Sequence, residues 1–148
     1  MKRINEYKKL FGVEKEIELS ALKKTYRDLV KLWHPDKFQN GDDLQVEAEI
    51  QSRRVIDGYH FLVSIAPETI AANLENYTTI TNSGIADFHH KGLLLVITFM
   101  DGATYEYFGV TKQVFQKMVN SDKINRFAKR SIYPNYIYRK TKNSLETA

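Results

Sequence analysis

"LKKTYRDLVKLWHPDK", residues 22–37, decides the fold of the first half of this chain. Leu19, Leu22, Tyr26, Leu29, Val30 and Trp33 recur mostly at three- and four-residue steps, which places one apolar stripe on a helix over residues 19–33. Lys23, Arg27 and Lys31 stand four apart, with Lys24 alongside. At about 100° per residue these four cations cover one side of the helix next to the stripe. Asp28 follows Lys24 at a spacing suited to an ion pair. Pro35 then stops the helix, because it has no N–H to continue the ladder and pushes His34 out of the α region. The polar side chains of His34 and Asp36 flank a stiff residue at the end of a cationic face. A proline at a helix end is common, and alone it marks only a stop.

Outward from this stretch the helical period returns over residues 42–63. Asp42 and Asp43 are cap and first-turn residues, and Val55, Tyr59 and Leu62 mark the inner face. The connection over residues 34–41 suits an antiparallel pair. A short helical piece over residues 5–11 ends at Gly12, and Pro67 opens another over residues 68–77. The first half thus reads as an all-α antiparallel helical hairpin.

The second half changes period. "GIADFHH", "LLLVITF" and "TYEYFGV" read as strands, with Asp101-Gly102 as a hairpin turn. Tyr105 and Tyr107 share one face of their strand and Glu106 and Phe108 the other, a pattern usual for packing. A helix over residues 111–120 follows, with Thr111 as N-cap and Val114, Phe115, Met118 and Val119 as its apolar side. The remainder, "SDKINRFAKRSIYPNYIYRKTK", is basic and aromatic. This half reads as an α+β module of antiparallel strands plus a helix. The fold class is two small domains, over residues 4–77 and 79–142.

Composition narrows the function classes. The chain has 148 residues, 43% of them hydrophobic, which opposes wholesale disorder. It has no cysteine, so disulfides, zinc fingers and cysteine nucleophiles are excluded. The charged N-terminus "MKRINEYKKL" does not read as a signal peptide, and the longest apolar run, residues 93–99, is too short for a membrane helix. The expectation is a soluble, cytoplasmic protein with no membrane partner. Residues 1–78 carry 12 Lys+Arg against 13 Asp+Glu, a balance of −1, and residues 79–148 carry 10 against 5, a balance of +5. That asymmetry suggests different partners for the two halves. His89 and His90 are adjacent and face opposite ways on a strand, so they do not chelate together. No P-loop, dinucleotide fingerprint or G-x-S-x-G elbow is present. No metal, cofactor or enzymatic activity is expected.

The order "YKKLFGV", "LKKTYRDLVKLWHPDK" and "DGYHFL" closely resembles the J-domain of DnaJ-type co-chaperones, over residues 4–77. That resemblance implies binding to the ATPase domain of a DnaK-type heat-shock chaperone and stimulation of its ATP hydrolysis. It assigns docking to His34, Pro35 and Asp36, and to Lys23, Lys24, Tyr26, Arg27 and Lys31 on the preceding helix. Three departures stand out. Asp28 occupies a position often basic in relatives. Ser52 falls where many carry an inward phenylalanine, for which Ile50 is the candidate substitute. "PETIAANLENY" lacks the basic motif of the bacterial prototype. A J-like scaffold without chaperone activity is the reading that Asp28 and Ser52 would favour, whereas the missing basic motif bears on the choice of partner.

The strands, "DGATYEYFGV", the helix and "INRFAKRSIYPNY" resemble the KTSC domain, marked by a Y-x-Y that here is Tyr105 and Tyr107 about Glu106. The family has no established activity, though RNA binding has been suggested for it. Arg126, Lys129, Arg130, Arg139, Lys140 and Lys142 are candidates for phosphate contacts, and Tyr133, Tyr136 or Tyr138 for stacking on bases. Targeting or client-polypeptide binding, RNA binding with the J-like hairpin used for docking, and plain scaffolding all stay open for this module.

Overall fold

The computed structural model describes residues 1–38 and 43–141. Asp42 as a cap, residues 39–41 of the connection and Lys142 as a phosphate contact lie outside the described residues. The chain forms two compact units, Lys2–Ala71 and the residues from Ala72 on together with Met1.

The first unit is helical. α1 (Lys2–Leu10) ends at Gly12, whose φ of 67° suits glycine. α2 (Leu19–Leu32) and α3 (Asp43–Ile65) follow, then α4 (Pro67–Ala72), which opens on its proline. α2 and α3 are antiparallel. The Leu19 N–H at the start of α2 donates to Glu68 Oε1, just past the end of α3, at 3.2 Å. Midway along, the rings of Tyr26 and Tyr59 stack at 4.0 Å. A carboxylate at the N-terminus of α2 satisfies an orphan N–H and suits the helix dipole. Glu18, the residue preceding the helix, makes no side-chain cap bond.

The core of this unit takes Ile4 and Phe11 from the α1 region, Ile17 from the following loop and Leu22 from α2. Ala48, Val55, Phe61, Leu62 and Ile65 come from α3. Ile50 is 56% exposed, so it does not supply the inward bulk expected of it, and Ser52 is half-buried. Gly58 has a role that periodicity does not reveal. A Cβ built there would lie 2.8 Å from Tyr7 Cδ1 and 3.1 Å from Phe11 Cε2, so α1 rests against the bare backbone of α3. Arg3 covers the Phe61 ring at 4.6 Å and Tyr7 packs on its rim at 5.2 Å, which closes the same contact.

In the second unit α5 (Leu74–Asn82) precedes four strands. Its Tyr77 and Ile80 join the core of this unit. The helix expected over residues 68–77 is therefore split at Asn73, and its second part packs with the strands. β1 (Ile85–Lys91), β2 (Leu94–Phe99), β3 (Thr104–Phe108) and β4 (Ile137–Lys140) form one antiparallel sheet in the order β1-β2-β3-β4. The Asp101-Gly102 turn forms as expected. Gly102 has φ 96°, and the Asp101 carboxylate accepts from the Ala103 N–H at 3.0 Å.

α6 (Lys112–Val119) starts at Thr111, whose hydroxyl accepts from the Val114 N–H. α7 (Ile124–Ser131) and β4 come from the basic tail, which showed no clear period in the sequence. Register sets Leu95 opposite Tyr107, Ile97 opposite Tyr105 and Tyr107 opposite Tyr138, all on one sheet face. Met118, Ala128, Ile132 and Tyr133 pack into that core from the helical segments.

Replacing Gly58 by alanine tests the close approach of α1 and α3. Helix propensity alone would gain about 1 kcal/mol, whereas overpacking costs typically about 1–3 kcal/mol. We expect Gly58→Ala to be net destabilising by about 1 kcal/mol in urea unfolding of the full chain. A more stable variant would mean that the helices separate without cost.

Candidate functional site

α2 ends through local bonds. The Trp33 N–H donates to the Leu29 carbonyl at 3.1 Å, and the Trp33 ring stacks with Phe38 at 6.4 Å. Pro35–Lys37 then make one 3-10 turn, closed by the Lys37 N–H donating to the His34 carbonyl at 3.0 Å. The Asp36 N–H donates to His34 Nδ1 at 3.2 Å. That bond requires a lone pair on Nδ1, so the neutral imidazole carries its proton on Nε2. The Asp36 carboxylate stands 3.4 Å from the same nitrogen, and the two side chains are 49% and 81% exposed. The turn thus holds the imidazole by its inner nitrogen and leaves the carboxylate oxygens facing water as acceptors.

Lys23, Lys24, Arg27 and Lys31 are all exposed. None has an ion-pair partner among the described residues, so the expected Lys24–Asp28 pair does not form there. Tyr26 is half-buried with one ring face against Tyr59, so its remaining face and hydroxyl are what it can offer a partner. The first unit therefore carries a cationic band along α2, without ion-pair partners among the described residues, that leads to an exposed carboxylate in the turn just past the helix. An anionic protein surface is the complement of the band, and a partner cation is the complement of Asp36.

The candidates in the second unit separate into two groups. Arg126, Lys129, Arg130 and Lys140 are exposed. Lys123, Arg126 and Arg130 line a hollow of about 400 Å³ together with Ser121, Ser131 and Phe127. Lys123 and Phe127 were not singled out from the sequence. The signal was the spacing of Lys123, Arg126 and Arg130, legible once residues 124–131 are read as a helix. Tyr136 is half-buried.

Tyr133 does not stack on a base, because it is only 7% exposed and lies in the core against Phe99 and Tyr107. Tyr138 is stacked on Tyr77 at 4.0 Å, which takes one face of its ring. Arg139 Nη1 donates to Glu106 Oε1 at 2.7 Å across the β3–β4 pair, a partly buried ion pair that ties the last strand down. Of the adjacent histidines, His89 is exposed, whereas His90 Nε2 lies 2.7 Å from the Val110 carbonyl and its ring stacks on Phe115.

The Y-x-Y pair belongs to a buried tyrosine cluster. Tyr77 and Tyr107 share a hydroxyl–hydroxyl bond of 2.9 Å, and the Tyr77 hydroxyl also donates to the Tyr133 carbonyl at 3.3 Å. Burial pushes the Tyr105 phenol up to about 12, helped by the neighbouring Tyr138 and Asp101. Burial also raises Tyr77, Tyr107, Tyr133 and Tyr138 above the ordinary phenol value. The cluster is thus core rather than a reactive or binding site.

Among the curated proteins, the chain is 36% identical over 58 residues to "Chaperone protein DnaJ" of Mesomycoplasma hyopneumoniae, covering 38% of this chain and 16% of that protein. It is 29% identical over 106 residues to "DnaJ homolog subfamily B member 6" of Gallus gallus, covering 70% of this chain and 32% of that protein. It is 27% identical over 107 residues to "DnaJ homolog subfamily B member 3" of Mus musculus, covering 70% of this chain and 43% of that protein. The chain thus spans between 16% and 43% of the length of these relatives. Residues 81–136 match the KTSC domain family.

The tyrosine cluster makes an alkaline prediction. The unfolded chain ionises these phenols near pH 10, while the folded chain keeps them neutral to higher pH. Their contribution to stability is complete below about pH 10 and is lost as pH rises through the folded values. After a jump to about pH 12, we expect phenolate absorbance from the cluster to grow at the rate of unfolding seen by circular dichroism. Full phenolate signal ahead of unfolding would show the rings to be open to water.

Proposed function

We propose that this chain, which combines a DnaJ-type J-domain with a KTSC domain, is a co-chaperone that binds a DnaK-type chaperone and stimulates its ATP hydrolysis. The observation that carries this reading is the juxtaposition in the first unit. Four exposed cations without described ion-pair partners run along α2 to a 3-10 turn that presents Asp36 at 81% exposure. The band steers the chain toward an acidic surface, over a screening length of roughly 8 Å in physiological salt. Asp36 then accepts hydrogen bonds from a cation of the partner, and His34 is held in place by the Asp36 amide. The chemistry stays with the partner. The chain acts by binding one of the partner's conformations more tightly than the other, so only the difference in affinity drives hydrolysis. The KTSC domain supplies targeting or client binding, and a cytoplasmic setting belongs to the same reading.

Single-turnover ATP hydrolysis by the DnaK-type protein of the same cell is the test. The full chain is expected to raise the rate, and Asp36→Asn to abolish the increase. No stimulation, or equal stimulation by the variant, would refute the reading.

A second reading, RNA binding by the KTSC domain, is favoured by the hollow at Lys123, Arg126 and Arg130. With Tyr133 buried and one face of Tyr138 stacked on Tyr77, phosphate contacts carry this reading more than base stacking does, and Arg139, held by Glu106, is not among them. Changing Arg126, Lys129 and Arg130 together to alanine should weaken RNA binding and flatten its salt dependence by about two to three phosphate contacts. Binding that ignores the triple change, or that is undetectable at low salt, would remove it.

A further inference from the structure

The outer surface of α2 is not uniformly basic. With Lys23 as origin, Arg27, Lys31 and Lys24 fall at about 40°, 80° and 100° around the helix. Asp28 follows at about 140° and Leu32 at about 180°. Leu22, 2% exposed, marks the inner side at about 260°. Asp28 therefore borders the cationic band, and Leu32 lies one turn further on along the same edge, just before His34. Both are exposed, Leu32 by 56%.

The fold does not explain Asp28. Asp is a weak helix former away from the first turn, and position 28 lies in the interior of a 14-residue helix. Asp28 has no ion-pair partner among the described residues, although Lys24 and Lys31 stand four before and three after it. Leu32 leaves an apolar side chain in water beside the docking turn. A residue that breaks a local rule without a compensating contact inside the fold, as Asp28 does, is a candidate for contact outside it; Leu32 joins it by its place on the same edge, next to the docking turn.

We propose that Asp28 and Leu32 form a specificity strip on the docking surface of α2, which selects the DnaK-type partner. This rests on the co-chaperone reading above. The strip fits a partner surface on which an acidic patch, facing Lys23, Arg27 and Lys31, is bordered by a basic residue facing Asp28. An apolar spot beside that residue faces Leu32. A partner with a uniformly acidic patch meets Asp28 with like charge and is disfavoured, so the acid gives discrimination by repulsion as well as attraction.

The test measures the concentration of full chain that gives half-maximal single-turnover stimulation of its own DnaK-type chaperone. Asp28→Lys should raise that concentration about three- to tenfold, and Asp28→Asn should fall between. Leu32→Ser should raise it about threefold. Lysine is the better helix former, so Asp28→Lys does not act by unravelling α2, which circular dichroism checks. No stimulation by the unaltered chain overturns the co-chaperone reading and the strip together. Stimulation that Asp36→Asn abolishes, but that Asp28→Lys and Leu32→Ser leave unchanged or improve, overturns the strip alone. Self-association that Leu32→Ser removes, with partner affinity unchanged, would assign the strip to a second copy of the chain and likewise overturn it.

Discussion

The rotation of α2 about its own axis is the constraint on which the candidate docking surface depends. Burying Leu22 against the core, with Tyr26 stacked on Tyr59, leaves one orientation for the helix. A turn of some tens of degrees would bury a lysine or expose the stripe, and burying an unpaired ammonium is costly. Once that side is set, Lys23, Arg27, Lys31 and Lys24 must face water, and Asp28 must border them. Glu68 holds the start of the same helix from across the unit. The far end stops at the 3-10 turn, so the polar corner at His34 and Asp36 is positioned by the helix that precedes it.

The two units are stabilised by different means. In the first, aliphatic and aromatic side chains join the helices, and Gly58 lets α1 rest against the backbone of α3. In the second, a sheet face of Leu95, Ile97, Tyr105, Tyr107 and Tyr138 is closed by side chains from three helices and the segment after them. Its tyrosines satisfy part of their hydrogen bonding among themselves, which lets phenols sit where aliphatic residues would otherwise be needed. The same burial removes them from any surface role. What the second unit offers outward is its helical cations, on α7 above all.

Much of this was legible in the sequence where a period and a stop signal coincide. α2, α3, the first three strands and the Asp101-Gly102 turn follow from spacing and turn chemistry. The tail after Ser121 was less legible. α7 and β4 are only eight and four residues long, and Arg139 and Tyr138 look like surface residues until Glu106 and Tyr77 are beside them. Ile50 illustrates the reverse failure: a large aliphatic residue near an expected vacancy, turned outward by a helical phase that places Ala48 and Val55 inside.

The sequence by itself determined the helical hairpin, the α+β module and the order of residues that carries the resemblance to J-domains and to the KTSC domain. Each of these rests on local periods and short motifs, which a chain expresses one segment at a time. Only the tertiary structure decided which tyrosines are core, which arginine is held in an ion pair, and where the unpaired cations collect. Those outcomes depend on contacts between residues as far apart as Tyr77 and Tyr133, or Glu106 and Arg139. Asp28 lies between the two cases. Its presence is a matter of sequence, but its place at the edge of the cationic band, unpaired and beside Leu32, follows from the side of α2 that the core takes.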